Sequence, residues 1–236
     1  DLRSWEKRIP AQLFSLPPPQ IALFLRHLWA TDGSVASAVY YATSSNQLAV
    51  GVAELLLRLD IRTRLRVVRA SRGRTQYQVE VSGVDNERRF AEVVGVHGTR
   101  DRQLIERMSA KSTTKGNPNV DSVPSPVWDH VRHKALPAAG MTARQLASAL
   151  EMSYCGSALY KSGVSRARLK KVATATGDEW LTDLADSDVL WDRLVEIEPL
   201  GEIEVFDATV EPHHNFVANG LVVHNSLEQD ADVVMF

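Results

Sequence analysis

The sequence reads Pro17-Pro18-Pro19-Gln20-Ile21-Ala22-Leu23-Phe24-Leu25-Arg26-His27-Leu28-Trp29-Ala30-Thr31-Asp32-Gly33-Ser34 near its N-terminus, and this stretch decides the fold. Prolines suit the first turn of a helix, the apolar residues then recur at spacings of three and four, and a glycine ends the pattern. The stretch therefore predicts a helix with an acid, Asp32, at its carboxyl end. The macrodipole disfavours a carboxylate there, so we expect a compensating cation or metal beside Asp32. The alternative is that Asp32 simply starts an Asp-Gly turn.

The segment after this helix alternates between strand and helix patterns. Residues 35–44 are rich in β-branched and aromatic side chains and predict a strand, and residues 47–59 predict an amphipathic helix. Two further strands are predicted around a turn at residues 71–74, with Tyr77 to Val81 as the returning strand. The pattern favours an α+β fold class.

Arginine is concentrated in the predicted strand pair. Seven arginines lie between positions 58 and 74, against the single acid Asp60. Their alternation in residues 62–66 places them on one face of a strand. Such a basic ribbon can lie in a DNA major groove, with arginines on phosphates or guanine edges; the alternative is a solvated sheet face. The candidate DNA-binding residues are Arg62, Arg64, Arg66, Arg69, Arg72 and Arg74.

Residues 28–33, at the end of the predicted helix, resemble the LAGLIDADG motif of homing endonucleases. Upstream, Glu6-Lys7-Arg8-Ile9-Pro10 resembles the lysine-containing block between the two motifs of that family, which makes this helix the second of a pair. The resemblance implies an αββαββα-like nuclease half that acts on a double-stranded DNA homing site. It also implies that Asp32 is a Mg²⁺ ligand and that Lys7 polarises a water or neutralises a phosphate. For Lys7, a solvated surface residue is the alternative.

The sequence His224-Asn225-Ser226 near the C-terminus combines groups that can cut a backbone. The Asn225 carboxamide can attack its own main-chain carbonyl and close a succinimide, which releases whatever follows. His224 is placed to protonate the leaving group, because imidazole titrates near neutral pH. Ser226 has a hydroxyl that can accept an acyl group beforehand. An exposed turn is the alternative for these three residues taken alone.

The surrounding residues, 205–210 and 214–225, resemble the two C-terminal splicing blocks of inteins. By that resemblance Asp207 is the splicing-block aspartate, His214 the assisting histidine and His224 the penultimate histidine. Asn225 is the cyclising asparagine and Ser226 the first residue of the C-extein. Splicing then needs no cofactor, and Mg²⁺ serves only the nuclease part.

Residues 226–236 resemble a segment of the replicative DNA helicase of the DnaB type, which predicts the host protein. The sequence contains no phosphate-binding Gly-x-x-x-x-Gly-Lys-Ser/Thr motif, so ATPase activity is assigned to the host. Two alternatives are a fragment of an ATP-dependent helicase and a DNA-binding module without catalysis.

These motifs divide the chain into five predicted regions. They are the second nuclease half (1–110), a linker (111–126), a small helical subdomain (127–194), an all-β Hint-type intein segment (195–225) and the start of the C-extein (226–236). Within the helical subdomain, residues 142–150 and 165–173 have helical patterns that allow a helix-turn-helix reading DNA, or simple packing. The opening splicing block and the first LAGLIDADG helix are not found, so we expect an upstream intein half and flanking helicase exteins as partners.

The composition is that of an ordinary globular chain. Of its 236 residues, 44% are hydrophobic and 24% charged, and the formal net charge is −2. A single cysteine, Cys155, excludes an internal disulfide and fits a reducing compartment. No apolar run reaches the length of a membrane span. We therefore expect a cytoplasmic protein without a membrane partner.

Overall fold

The fold is described by a computed structural model. It covers residues 3–69, 74–117, 121–192, 194, 196–204, 210–212, 214–218 and 220–224. The chain divides into two compact units, residues 1–117 and residues 118–236. Several predicted site residues lie outside the described residues, namely Arg72, Asp207, Asn225 and Ser226.

The first unit alternates helices and strands. Its helices are α1 (Pro18–Asp32), α2 (Asn46–Leu57), α3 (Val84–Val93) and α4 (Thr99–Ala110). Its strands are β1 (Gly33–Ser34), β2 (Tyr40–Thr43), β3 (Thr63–Val68) and β4 (Gln76–Val81). The order α1-β1-β2-α2-β3-β4-α3 agrees with the predicted αββαββα-like α+β arrangement. The strand predicted over residues 35–44 is shorter in the structure, where β2 covers only Tyr40–Thr43, and a further short strand, β1, precedes the predicted range.

Local sequence explains where the two longest helices begin. Pro18 and Pro19 occupy the first turn of α1, where a missing N–H costs nothing. The Ser45 hydroxyl caps α2 by accepting a hydrogen bond of 3.2 Å from the Leu48 amide. Among the described residues, no helix is long and apolar enough to cross a membrane.

The strands form an antiparallel sheet in the order β1-β2-β4-β3. The register pairs Leu65 with Val79 and Arg66 with Gln78, and paired residues share one face of a sheet. Val79, Val81 and Tyr41 are therefore on the buried face, whereas Arg64 and Arg66 are on the opposite face. The buried face packs on α1 and α2 around Trp29, whose ring lies 4.9 Å from Phe90 and 5.6 Å from Tyr41.

The second unit begins with short helices around its own core. They are α5 (Val127–His130), which continues through a π turn at Val131–Ala135 into α6 (Leu136–Ala138), then α7 (Ala143–Ala149), α8 (Arg166–Thr176) and α9 (Glu179–Asp186). A 3-10 helix, Gly156–Lys161, precedes α8. The core contains Trp128, Leu146, Leu169 and Leu181.

The predicted linker at 111–126 contains regular structure. Its residues Ser122–Val123 form β5, which pairs antiparallel with β6 (Val164–Ser165). Val123 is buried in the core of the second unit. The prolines on which the prediction rested bracket this strand rather than exclude it.

The C-terminal segment, residues 195–225, is predicted to be all β. Its described residues 196–204 lie in no strand. Ile197 and Ile203 are 75% and 60% exposed, and a strand requires a neighbour to satisfy its backbone. Regular β-structure in the described part of this segment is a hairpin of β7 (Asn215–Ala218) and β8 (Leu221–His224).

Candidate functional site

Asp32 is the last residue of α1 and its side chain is exposed. The chain turns immediately afterwards, because the Gly33 amide donates to the carbonyl of Trp29. A Cβ atom at position 33 would lie 2.3 Å from Cδ1 of Trp29, so only glycine allows this close approach. No described residue pairs with the Asp32 carboxylate by an ion pair or hydrogen bond.

A cation does bind at this helix end: it is Arg100, from α4. Its guanidinium donates to the main-chain carbonyls of Trp29, at 2.9 Å, and of Ala30, and to that of Thr31 at 3.3 Å. These carbonyls belong to the last turn of α1, and the Trp29 carbonyl also accepts from the Gly33 amide. Sequence reasoning missed Arg100 because 68 residues separate it from Asp32 and its neighbourhood carries no motif.

A second arginine of α4, Arg107, binds the connection between β1 and β2. Arg107 donates to the carbonyls of Ala36 and Ser37, at 3.0 and 2.7 Å. It also forms two hydrogen bonds with Glu87 of α3, at 3.1 and 2.8 Å. Because Arg100 and Arg107 are two turns apart, they lie on one face of α4.

Glu87 is a buried carboxylate with two cationic partners. It is 5% exposed and pairs with Arg107 and, at 2.7 Å, with Lys111. Burial alone would raise the pKa of Glu87, but the hydrogen bonds and charges of Arg107 and Lys111 outweigh it and lower that pKa. The carboxylate therefore stays ionised and fastens α3 to α4.

Lys7 lies in an exposed segment that is fixed at two points. Its main-chain carbonyl accepts a hydrogen bond of 2.6 Å from the Ser45 hydroxyl, and Ile9 is buried in the core of the unit. Among the described residues, no hydrogen bond or ion pair joins Lys7 to Asp32. The structure therefore anchors the predicted lysine block without bringing these two side chains into contact.

The predicted DNA-binding arginines are placed differently along the β3–β4 ribbon. Arg64, Arg66 and Arg69 are exposed, and Arg62 is half-buried. Arg66 pairs with Glu80 across the sheet at 2.5 Å. Arg74 stacks on Trp5, with its guanidinium carbon 3.1 Å from the ring centroid. The exposed sheet face thus carries arginine beside glutamine and a single described acid of β4.

The C-terminal hairpin brings together the two predicted splicing histidines. The register pairs Asn215 with His224, and the rings of His214 and His224 are stacked with centroids 6.4 Å apart. His214 has a positive φ of 53°, which is uncommon for a residue other than glycine. Its amide donates to the carbonyl of Val210 at 2.8 Å, and its Nε2 lies 3.5 Å from a carboxylate oxygen of Glu211. β8 ends at His224, immediately before Asn225.

The connection between β7 and β8 has two residues, Asn219 and Gly220. Asn-Gly is the sequence typical of the tightest hairpin turns, which require positive φ. Gly220 has φ of 81°. This turn therefore sets the register that pairs the two ends of the hairpin.

Metal-binding groups are sparse in the described part of the chain. No cluster of three or more His, Cys, Asp or Glu residues occurs there. The exposed Asp32 carboxylate is chemically suited to Mg²⁺, which prefers oxygen ligands. It would supply one of several oxygen ligands.

A family model matches part of the first unit. Residues 19–95 match the LAGLIDADG-like domain. The match begins within α1 and ends just after α3, so it contains Asp32 and both strand pairs.

Relatives extend the comparison to nearly the whole chain. The chain is 48% identical over 245 residues to the replicative DNA helicase DnaB of Rhodothermus marinus, covering all of this chain and 26% of that protein. It is 29% identical to the protein RecA of Mycobacterium tuberculosis, covering 94% of this chain and 32% of RecA. It is also 29% identical to elongation factor 2 of Methanopyrus kandleri, covering 94% of this chain and 17% of that factor. The chain therefore spans about a quarter of the length of the DnaB relative.

Proposed function

We propose that this chain carries the C-terminal splicing blocks of an intein together with one half of a LAGLIDADG homing endonuclease. The observation that carries the proposal is the hairpin in which His214 and His224 stack immediately before Asn225. The host is a replicative DNA helicase of the DnaB type, in the cytoplasm. The partners are the upstream intein half and the flanking helicase segments.

The chemistry of release needs two proton movements. The Asn225 carboxamide nitrogen attacks the Asn225 main-chain carbonyl carbon, a succinimide closes, and the bond to the Ser226 nitrogen breaks. The attacking amide loses one proton and the departing amine gains one. Two neighbouring imidazoles can perform both transfers near neutral pH: His224 donates to the leaving amine, and His214 receives the proton of the amide.

The earlier steps assign roles to Ser226 and Asp207. The upstream host segment is first shifted onto the side chain of the first residue of the upstream intein half, as an ester or thioester. The Ser226 hydroxyl attacks that carbonyl and takes the acyl group, the bond to the first residue's side-chain oxygen or sulfur breaks, and that side chain takes up the hydroxyl proton. After Asn225 has cyclised, the Ser226 amine attacks that ester and a peptide bond forms. Asp207 fixes the protonation state of its neighbours through hydrogen bonds. None of these steps requires a cofactor.

The range of relatives supports an inserted element. A helicase, a recombination protein and an elongation factor bear different names, yet each matches at least 94% of this chain with a minor part of its own length. A common ATPase or GTPase core would be recognised by its phosphate loop, and this sequence has none. An element that recurs within different hosts explains both facts.

The nuclease assignment rests on Asp32 and the arginine ribbon. Asp32 would hold Mg²⁺ together with an acid from the other motif helix, and the bound ion would stabilise charge on the phosphate being cut. Lys7 would neutralise a phosphate or polarise a water. Arg62, Arg64, Arg66, Arg69, Arg72 and Arg74 would contact the DNA backbone and base edges.

Splicing is tested by joining this chain to its native upstream segment and measuring intact masses over time. We expect ligated host segments and an excised intein. An Asn225→Ala control should retain Ser226 and everything after it. If the wild-type precursor kept its mass in a folded state, the splicing proposal would be wrong.

The nuclease proposal has a separate test in the same joined protein. DNA carrying the uninterrupted host sequence is incubated with Mg²⁺, and the wild type is compared with Asp32→Asn. We expect the substitution to abolish cleavage while DNA binding persists. Equal cleavage by both proteins would remove Asp32 from the active site, and binding without cleavage by the wild type would favour a DNA-binding module.

A further inference from the structure

The indole ring of Trp5 supports the guanidinium of Arg74, which leads into β4 of the arginine ribbon. The guanidinium carbon lies over the ring, 3.1 Å from its centroid. If an N–H of Arg74 pointed into the ring, this carbon would lie farther from the ring than the nitrogen does. A carbon contact this short therefore requires the two planes to lie face to face, as arginine commonly stacks on aromatic rings. The N–H groups then point outward, in the plane of the guanidinium.

The chain around Trp5 holds its ring in place. Trp5 lies in a turn that is closed twice: the Glu6 amide donates to the carbonyl of Arg3 at 2.9 Å, and the Arg3 amide donates to the Glu6 carboxylate at 2.9 Å. The Arg3 guanidinium also lies over the ring, with its carbon 5.3 Å from the centroid. Downstream, Ile9 is buried in the core of the first unit. The ring is thus fixed to this unit by the segment that carries Lys7.

The arrangement of Arg74 differs from that of other arginines on the ribbon. Arg66 is held by Glu80 at 2.5 Å, so its charge is compensated. Arg64 and Arg69 are exposed, and no described acid or aromatic ring binds them. Arg74 is held by a neutral ring, and among the described residues no acid pairs with it. Its side chain is therefore ordered in advance while its charge stays available, which reduces the entropy that it loses on binding an anion.

We propose that Trp5 is a positioning residue, which orients Arg74 to bind a phosphate of the DNA backbone. The inference rests on the DNA-binding role proposed above for the ribbon. A guanidinium with its N–H edge free matches the geometry of a phosphate. Lys7, proposed above to neutralise a phosphate, is close by, since its Cα lies within about 7 Å of that of Trp5 along the chain. Phosphate contacts read no sequence, so the effect should be equal on the homing site and on an unrelated duplex.

The test is a double-mutant cycle on DNA affinity. The protein is the chain joined to its native upstream segment, with Asn225→Ala to keep it intact, and Mg²⁺ is left out so that no DNA is cleaved. The variants are Trp5→Ala, Arg74→Gln and their combination, with Trp5→Phe to restore an aromatic face. Thermal unfolding confirms that each variant is folded.

Two further cycles serve as controls. Trp5→Ala is combined with Arg64→Gln, because Arg64 lies on the same ribbon without a stacking contact to Trp5. It is also combined with Arg3→Gln, because Arg3 is the other arginine over the ring. These cycles separate an effect on Arg74 from a general effect of losing the indole.

Near 0.1 M salt, we expect Arg74→Gln to weaken binding by about tenfold and to lower the salt slope by about one. Trp5→Ala should weaken binding by about fivefold, because an unsupported arginine must be ordered on binding. The combination should bind like Arg74→Gln alone, since the ring then has no Arg74 to position. Trp5→Phe should stay within about twofold of the wild type. With Arg64→Gln, the separate losses should multiply.

The inference would be overturned if the losses of Trp5→Ala and Arg74→Gln multiplied, or if Trp5→Ala were coupled to Arg3→Gln instead. Weaker binding by Arg74→Gln would then leave the DNA-binding role of the ribbon standing. Wild-type affinity in Trp5→Ala or in Arg74→Gln would also overturn the inference, and a loss in Arg64→Gln would still support the ribbon. A wild-type protein that bound no DNA would overturn both the inference and the nuclease proposal.

Discussion

The guanidinium of Arg100 donates a hydrogen bond of 2.9 Å to the main-chain carbonyl of Trp29, and so ties α4 to the carboxyl end of α1. The bond lies one turn before Asp32, at the end of the helix that carries the negative pole of the helix dipole. The guanidinium adds a charged donor to a carbonyl that also accepts from the Gly33 amide, and it reaches the carbonyls of Ala30 and Thr31 as well.

Arg100→Ala should destabilise the first unit by about 1–2 kcal/mol, because carbonyls of the last turn lose a charged donor. We also expect faster hydrogen exchange of the Gly33 amide, which bonds to the same carbonyl of Trp29. Urea unfolding and native-state exchange measure the two effects. Arg102→Ala is the matched control, since Arg102 is exposed on the same helix. Equal losses in both variants would contradict the role of Arg100.

Glu87→Gln should destabilise the first unit by about 3 kcal/mol, because Arg107 and Lys111 would lose their buried counter-charge. Asp85→Asn, on the same helix, is the control: its pair with Arg88 is 70% exposed on the aspartate side, and its loss should cost less than about 1 kcal/mol. Urea unfolding at neutral pH compares the two. Similar costs would show that burial of the Glu87 triad contributes nothing beyond a surface pair.

Comparison of the wild type with Glu87→Gln also predicts how the free energy of unfolding depends on pH in the acid range. The folded-state pKa of Glu87 lies below its ordinary value of 4.5, so the stabilisation by this carboxylate is present above pH 4.5 and is lost as the pH falls through the folded pKa. The difference in free energy of unfolding between the wild type and Glu87→Gln should therefore become smaller as the pH is lowered. A gap that stayed constant down to the acid transition would contradict the lowered pKa.

The raised pKa of Tyr41 predicts that the stability of the first unit falls at alkaline pH. Burial and, secondarily, the charge of Asp32 raise the pKa of Tyr41 from 10.0 to about 12. Its neutral form is favoured in the folded state, so the associated stability is intact below pH 10 and is lost as the pH rises towards 12. Tyr41→Phe should lose less stability over this interval, as followed by chemical unfolding. Tyr40→Phe is the control, since Tyr40 lies on the opposite sheet face. Identical alkaline slopes in wild type and Tyr41→Phe would contradict the prediction.

The local sequence patterns predicted the helices and strands of the first unit better than they predicted the contacts between those elements. The spacing of apolar residues in α1 and α2 and the alternation in β3 and β4 are properties of neighbouring residues, so the sequence carries them directly. Arg100, Arg107 and Glu87 act between elements far apart in the chain, and an arginine that caps a distant helix resembles any surface arginine in sequence. For that reason the sequence did not predict Arg100 at the end of α1, and the compensating cation or metal expected beside the Asp32 carboxylate stays a prediction.

The C-terminal segment shows the opposite error. An all-β segment was predicted over residues 195–225, and the described residues 196–204 form no strand, because a sequence pattern alone does not supply a neighbouring strand. The hairpin at 215–224 does form, since its two strands are joined by an Asn-Gly turn and supply each other's partners. The roles of Asp207, Asn225 and Ser226 stay predictions.

Gly220→Ala should slow release at Asn225 because it strains the turn that sets the hairpin register. Gly220 has φ of 81°, and alanine at positive φ costs about 1 kcal/mol. If that strain separates the ends of the hairpin, His224 and His214 lose their stacked arrangement, and the rate falls by about fivefold. Intact-mass time courses of the joined precursor measure this rate. Gly201→Ala is the matched control, because Gly201 has φ of 74° in the same unit but lies outside the hairpin. A rate that falls equally in both variants would assign the effect to general strain and not to the pairing of the two histidines.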